Sequence, residues 1–295
     1  MKVLILGLSK SGTTALAYKI FNSLPRDETT LLLERCRFVG AATAHVVAKV
    51  LIDGYLLQLY PADDYVIPPA AIDLESFAAF DMKILIVRDP KDRAVSAELY
   101  RLYHEPYCTD EPFIRSVLNA LRQKEAAPDA IRYVDFFKFM EDYARWRGQW
   151  LPALPRFELA PERFQSHDML EPQLVAYLGK EPGLFVVHYE DMIDGNLANL
   201  EQYLDTRLGG SSQVDPYLRR VERTKAYGDF RNWFVAEDIP YFQFLYRQFV
   251  ARFPRYDDWT LNPVKTVRPE YASQYVLRIV NEARGNLNLP PISVE

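Results

Sequence analysis

The densest chemistry in the chain lies in one short run, Gly7-Leu8-Ser9-Lys10-Ser11-Gly12-Thr13-Thr14. Val3-Leu4-Ile5-Leu6 precedes it, and a helical stretch from Ala15 to about Ser23 follows. An apolar run without alternation, beside a glycine turn, reads as a strand buried on both faces. Strand, glycine-bounded loop and helix, in that order, turn successive backbone N–H groups toward one point at the helix N-terminus. That arrangement favours a phosphate or another anion. The spacing approaches the nucleotide-binding pattern G-x-x-x-x-G-K-[ST], with Gly7 and Gly12 in place. Its lysine position holds Thr13, followed by Thr14, and the loop's lysine is Lys10. A nucleotide kinase lacking the lysine that reaches the outer phosphates would be poorly equipped.

A second constellation follows the apolar run Lys83 to Val87. Arg88 stands at the strand end, Pro90 suits a first helical turn behind Asp89, and Ser96 lies eight residues after Arg88. An arginine fork suits phosphate because it makes two charge-assisted bonds. Glu34 directly follows the short apolar strand Thr29 to Leu33, and so belongs to the carboxyl edge of the sheet, where open α/β sheets bind ligands. In the strand His45 to Ile52, Lys49 interrupts an apolar face and either lies at an edge or reaches the site. Leu184 to Tyr189 is a further buried strand, and Arg223 to Phe234 holds Lys225 and Gly228.

Three of these blocks resemble the sulfotransferases that use 3′-phosphoadenosine 5′-phosphosulfate (PAPS). The Lys-Ser-Gly-Thr-Thr loop is similar to that family's 5′-phosphosulfate loop. Arg88 with Ser96 is similar to its 3′-phosphate-reading arginine and serine. Arg223 and Gly228 keep two places of its third motif, from which Thr224, Lys225 and Phe230 depart. The resemblance implies transfer of a sulfuryl group from PAPS to a hydroxyl or amine, leaving 3′-phosphoadenosine 5′-phosphate (PAP), with no metal. It implies donor contacts from Ser9, Lys10, Ser11, Gly12, Thr13, Thr14, Arg88, Ser96, Arg223 and Gly228, with Tyr189 near the adenine. Lys225 is assigned the charge displaced from position 224. Lys10 would stabilise the leaving group, and Lys49 matches a lysine that relatives carry on the strand before the acceptor cleft. Glu34 is the first candidate base and His45 the second. Ala15 stands where many relatives have an adenine-stacking tryptophan, which marks a divergent member.

The elements that must position these groups are those of an α/β fold. The expectation is a three-layer, P-loop-like domain over 1–295, with a mostly parallel sheet near 3–6, 30–33, 46–51, 83–87 and 184–189, flanked by helices. No repeat, low-complexity stretch or linker divides the 295 residues. Helical spacing runs from Val134 to Trp150, with Phe136, Phe137, Met140, Tyr143 and Trp150 read as core or as the wall of a substrate cavity. Further helices are expected at 72–80, from Asp238 to about Arg252 and from Tyr271 to Arg284. A net charge of −5 gives no global attraction to nucleic acid or anionic lipid. Two isolated cysteines, Cys36 and Cys108, fit a reducing compartment and no metal site. With no signal peptide or apolar run of membrane-spanning length, the expectation is a cytoplasmic protein acting on a small-molecule or carbohydrate acceptor, in an oligomeric state the sequence leaves open. Two rival readings stay open. One is a P-loop kinase or hydrolase; the other is a nucleotide-binding protein without turnover.

Overall fold

A computed structural model describes residues 1–33, 43–52, 80–147, 175–176, 178–180, 183–219 and 221–293. Its parallel sheet has five strands: β1 (Lys2–Gly7), β2 (Thr29–Leu33), β3 (His45–Leu51), β4 (Met82–Val87) and β5 (Phe185–His188). They lie in the order β2-β3-β1-β4-β5, every neighbouring pair parallel. All five correspond to the apolar runs; the central strands β1, β3 and β4 are largely buried and show no alternation, while the edge strands β2 and β5 are mostly half-buried. Val3, Ile5, Ile84 and Ile86 face one core, and the alternate set Leu4, Leu6, Leu85 and Val87 is equally buried.

The eight helices used below are α1 (Thr13–Phe21), α2 (Pro90–Arg101), α3 (Glu111–Ala126), α4 (Tyr133–Arg147), α5 (Tyr189–Asp194), α6 (Ala198–Leu204), α7 (Ile239–Arg252) and α8 (Ser273–Asn286). The chain divides into two compact units. Unit 1 comprises Met1–Asp89, Ala153–Pro216 and Gln248–Pro254; unit 2 comprises Pro90–Pro152, Tyr217–Arg247 and Arg255–Glu295. The chain alternates between them, so neither unit is one continuous segment and no linker composition marks the change. The expected helix at 72–80 lies outside the described residues except for Phe80.

Unit 1 is the sheet with α1, α5 and α6. Leu16, Ala17 and Ile20 of α1 share a core with Val3, Val47, Ile84 and Val187, together with Leu200 and Leu204 of α6. Burial of each such side chain contributes roughly 1.5–3 kcal/mol. Unit 2 is helical. Phe136, Phe137 and Met140 of α4 are buried, as expected of core positions. Tyr133 stacks on Phe234 at 4.9 Å between ring centres and meets Trp233 edge-on at 6.2 Å.

Two buried charges organise unit 2 around its helix ends. Asp238, fully buried, accepts from the amides of Tyr133 at 3.0 Å, Val134 at 2.8 Å and Val235 at 2.8 Å. It therefore caps the first turn of α4 from a distant part of the chain. Lys124, at the end of α3, donates to the carbonyls of Pro128 at 2.8 Å and Ile131 at 2.6 Å, closing the turn into α4. Burial pulls its ammonium down to about 8 from the ordinary 10.5, against the pull of Asp238. Between those values the unfolded chain binds more protons than the folded one, so stability attributable to Lys124 rises with pH across that window. The gap corresponds to on the order of 3 kcal/mol, a cost present below about pH 8 and relieved toward pH 10.5. Urea unfolding of wild type and Lys124→Met, subtracted at each pH, isolates this slope. A difference that stays flat from pH 8 to 10.5 would show that Lys124 titrates as an ordinary lysine.

Candidate functional site

The loop after β1 is built by two left-handed residues. Lys10 has φ 64° and Gly12 φ 88°, with Ser11 between them at negative φ. Such alternation curls successive N–H groups into a concavity suited to an anion. The Ser11 amide is already used, donating to the Leu8 carbonyl at 3.2 Å. The amides of Gly12, Thr13 and Thr14 follow it, ahead of the bond from Leu16 that closes the first turn. Leu16 donates to the Gly12 carbonyl at 3.0 Å to close the first turn of α1, and no side chain caps that helix. Its positive dipole end and uncapped amides remain for a ligand.

Glycine is required at both ends of the loop, for different reasons. A Cβ on Gly7 would lie 2.6 Å from Thr13 Cγ2 and 2.7 Å from Ile86 Cγ2. A Cβ on Gly12 would lie 2.5 Å from Tyr189 Cδ2, in a backbone conformation that already favours glycine. Tyr189 opens α5 and is buried; on its ring also rests the Arg88 guanidinium, 4.5 Å from the ring centre. The structure thus uses Tyr189 to support the loop and the arginine.

Arg88 follows β4 and is 5% exposed. Its Nη1 donates to the Lys10 carbonyl at 2.9 Å, while Nε and Nη2 are buried without a hydrogen-bond partner among the described residues. Beside it the Asp89 amide donates to Glu190 at 3.0 Å. Lys49 pairs in register with Ile5 of β1 and Leu33 of β2, so it lies mid-strand on the face that α1 covers. It is 3% exposed and donates to Thr14 Oγ1 at 3.1 Å. Unit 1 therefore brings Ser9–Thr14, Lys49, Arg88 and Tyr189 to the carboxyl end of β1 and its neighbours.

His45 is not brought there. It opens β3 opposite Thr29, at the amino edge, and its Nδ1 lies 3.4 Å from the Met1 amino group. The carboxyl edge, marked by the Gly7–Leu51 pair, is six residues on, roughly 20 Å along a strand. The expectation of His45 as a base is corrected on this ground. A histidine that begins a strand parallel to β1 must lie at the end opposite the loop after β1, a signal that was present in the sequence. Glu34 lies outside the described residues.

The remaining expected residues belong to unit 2. Ser96 is buried two turns into α2. Arg223 is 6% exposed, pairs with Asp229 at 2.6 Å, and keeps Nε and Nη2 buried without a partner among the described residues. Gly228, at φ 81°, and Phe230 donate their amides to Asp92, the latter at 2.8 Å. Trp233 Nε1 reaches Asp229 at 3.2 Å. Lys225 is exposed beside Glu222 at 3.7 Å, a pair of little energetic weight. In α2 the charged side chains of Lys91, Asp92, Arg93 and Glu98 are buried, and Lys91 donates to the Tyr256 carbonyl at 2.6 Å. The local sequence gave no sign of the burial of Lys91 and Asp92, because their partners lie more than 100 residues away.

Among the described residues no cluster of three or more His, Cys, Asp or Glu is placed to hold a metal ion, and no helix is long and apolar enough to cross a membrane. The fold is that of an α/β protein with a glycine-bounded strand–loop–helix at the centre of a parallel sheet. Among solved structures, mouse sulfotransferase SULT7A1 complexed with PAP aligns over 86% of this chain and 85% of its own, at 16% identity and a TM-score of 0.46. No protein-family model matches the chain. No curated protein matches it either.

Proposed function

We propose that the protein is a sulfotransferase that moves a sulfuryl group from PAPS to a hydroxyl or amine of a small-molecule or carbohydrate acceptor. The observation that carries this reading is the loop. It keeps the uncapped amides of Gly12, Thr13 and Thr14, has Thr13 in place of the kinase lysine, and holds Lys10 in a left-handed conformation. Those amides and the α1 dipole bind the 5′-phosphate. Lys10 meets the charge that grows on the bridging oxygen as the sulfuryl group leaves, which favours the transition state over the ground state. The resemblance assigns the 3′-phosphate to Arg88, Ser96 and Arg223. Both arginines keep two buried nitrogens without a hydrogen-bond partner among the described residues, a costly condition that a bound anion relieves. Glu34, next in the chain after Leu33, remains the proposed base.

The kinase reading fares worse at Thr14. In the nucleotide-binding pattern the hydroxyl at that position holds Mg²⁺; here it accepts from the Lys49 ammonium. The test is thermal unfolding with PAP and, separately, ATP. At 100 times its dissociation constant, PAP is expected to add roughly 2.7 kcal/mol by mass action. ATP, lacking a 3′-phosphate, is expected to add much less. Equal stabilisation by the two nucleotides would reject the proposal.

A further inference from the structure

The Arg88 guanidinium does two things at once. One of its nitrogens is spent on a main-chain carbonyl, and two are buried without a hydrogen-bond partner among the described residues. The carbonyl belongs to Lys10, the non-glycine residue of the loop at positive φ. Left-handed backbone costs an L-residue about 1–2 kcal/mol and persists only where its surroundings enforce it. A bond from a charged donor is stronger than an ordinary one and lies where it enforces that turn. Tyr189 fixes the arginine from below and contacts Gly12, the loop's other left-handed residue. The chain from Arg88 to Lys10 and the chain from Arg88 through Tyr189 to Gly12 thus grip the loop at both of its unusual residues.

We infer that Arg88 is a positioning residue for the loop: its bond to the Lys10 carbonyl holds the left-handed turn, so an anion on its other two nitrogens and an anion on the loop amides favour each other. This rests on the donor reading above for the identity of the ligands. It goes further in assigning Arg88 a second role, exerted on a phosphate that it does not touch. Without the bond, Lys10 relaxes toward negative φ, the concavity opens, and the Lys10 side chain is re-aimed. Glycine at position 10 would tolerate the turn unaided.

The test is a cycle of four proteins: wild type, Arg88→Met, Lys10→Gly and the double variant. Calorimetric titration with adenosine 5′-monophosphate, which has no 3′-phosphate, reads the loop alone; PAP reads both phosphates. Arg88→Met is expected to weaken adenosine 5′-monophosphate about tenfold or more. In the Lys10→Gly background the same substitution should weaken it less than about threefold. PAP should lose affinity in both backgrounds. If Arg88→Met weakens PAP alone, Arg88 is a phosphate ligand only and the positioning role is overturned while the donor reading stands. Equal losses of monophosphate affinity in the two backgrounds would also overturn it, since the effect would not pass through Lys10. If wild type binds neither nucleotide, the donor reading fails. Urea unfolding of the same four proteins without ligand then decides the positioning role. Lys10→Gly must stabilise wild type, where the bond enforces the strained turn, more than it stabilises the Arg88→Met protein, where the turn has relaxed, and equal increments would overturn the inference. Should Arg88→Met not fold, Arg88→Lys enters the same cycle, because it retains charge and bulk but not the fork.

Discussion

Lys10→Ala is expected to lower sulfuryl transfer by 10²–10³-fold, about 2.7–4 kcal/mol of transition-state stabilisation, as for removal of one preorganised electrostatic group. Two features of the loop make this a clean substitution. Alanine keeps a Cβ, so the requirement for enforced left-handed backbone is unchanged, and Arg88 binds the carbonyl, which alanine retains. The amides of Gly12, Thr13 and Thr14 are also untouched. PAP affinity should therefore fall far less than turnover, and the loss should appear in kcat and kcat/KM alike. Lys10→Arg keeps the charge but moves it, and should fall between. The assay is transfer from labelled PAPS to an acceptor found by screening, read by mass spectrometry. A Lys10→Ala protein that turns over at the wild-type rate would remove Lys10 from the chemistry.

The second large effect concerns stability. Asp238→Ala is expected to destabilise the fold by about 3–5 kcal/mol. Three buried amides, those of Tyr133, Val134 and Val235, lose their acceptor together, and each unsatisfied buried donor costs roughly 1–3 kcal/mol. The loss extends to Lys124, since Asp238 supports its charged form. Removing the carboxylate should move the Lys124 titration to lower pH. Asp238→Asn keeps one acceptor oxygen but presents an amide to the remaining N–H groups, and should cost about half as much. Chemical denaturation checks both. A loss below about 1 kcal/mol in Asp238→Ala would mean that the three amides find other partners.

What the sequence disclosed, and what it hid, divides by range. The five strands were legible as apolar runs, the central three because burial on both faces writes itself into consecutive residues. The loop was legible because two glycines and one lysine at fixed spacing are a local pattern. The buried charges of α2 were not, since Asp92 meets Gly228 and Phe230 only through the fold. The same holds for the grip of Arg88 on Lys10 and for Lys49 beneath Thr14. His45 shows a different failure. Its residue type suggested a base, but the direction of its strand decides which edge it occupies. That Tyr189 lies against Gly12 and beneath Arg88 was likewise not legible, since both contacts are made only through the fold.

The contact of Gly7 with both Thr13 and Ile86 bears on how far this loop can travel. A Cβ at position 7 would lie within 3 Å of side chains on both sides, so there is no room to spare and the turn takes its shape partly from a neighbouring strand. Grafting residues 7–14 onto another strand–helix junction would carry the glycines and the lysine but leave behind the isoleucine that fits against them. A host with a bulkier residue at the place of Ile86 would force the graft into a different curl. The transplantable cassette is therefore larger than the motif: it includes a position on β4, and Arg88 two residues beyond it.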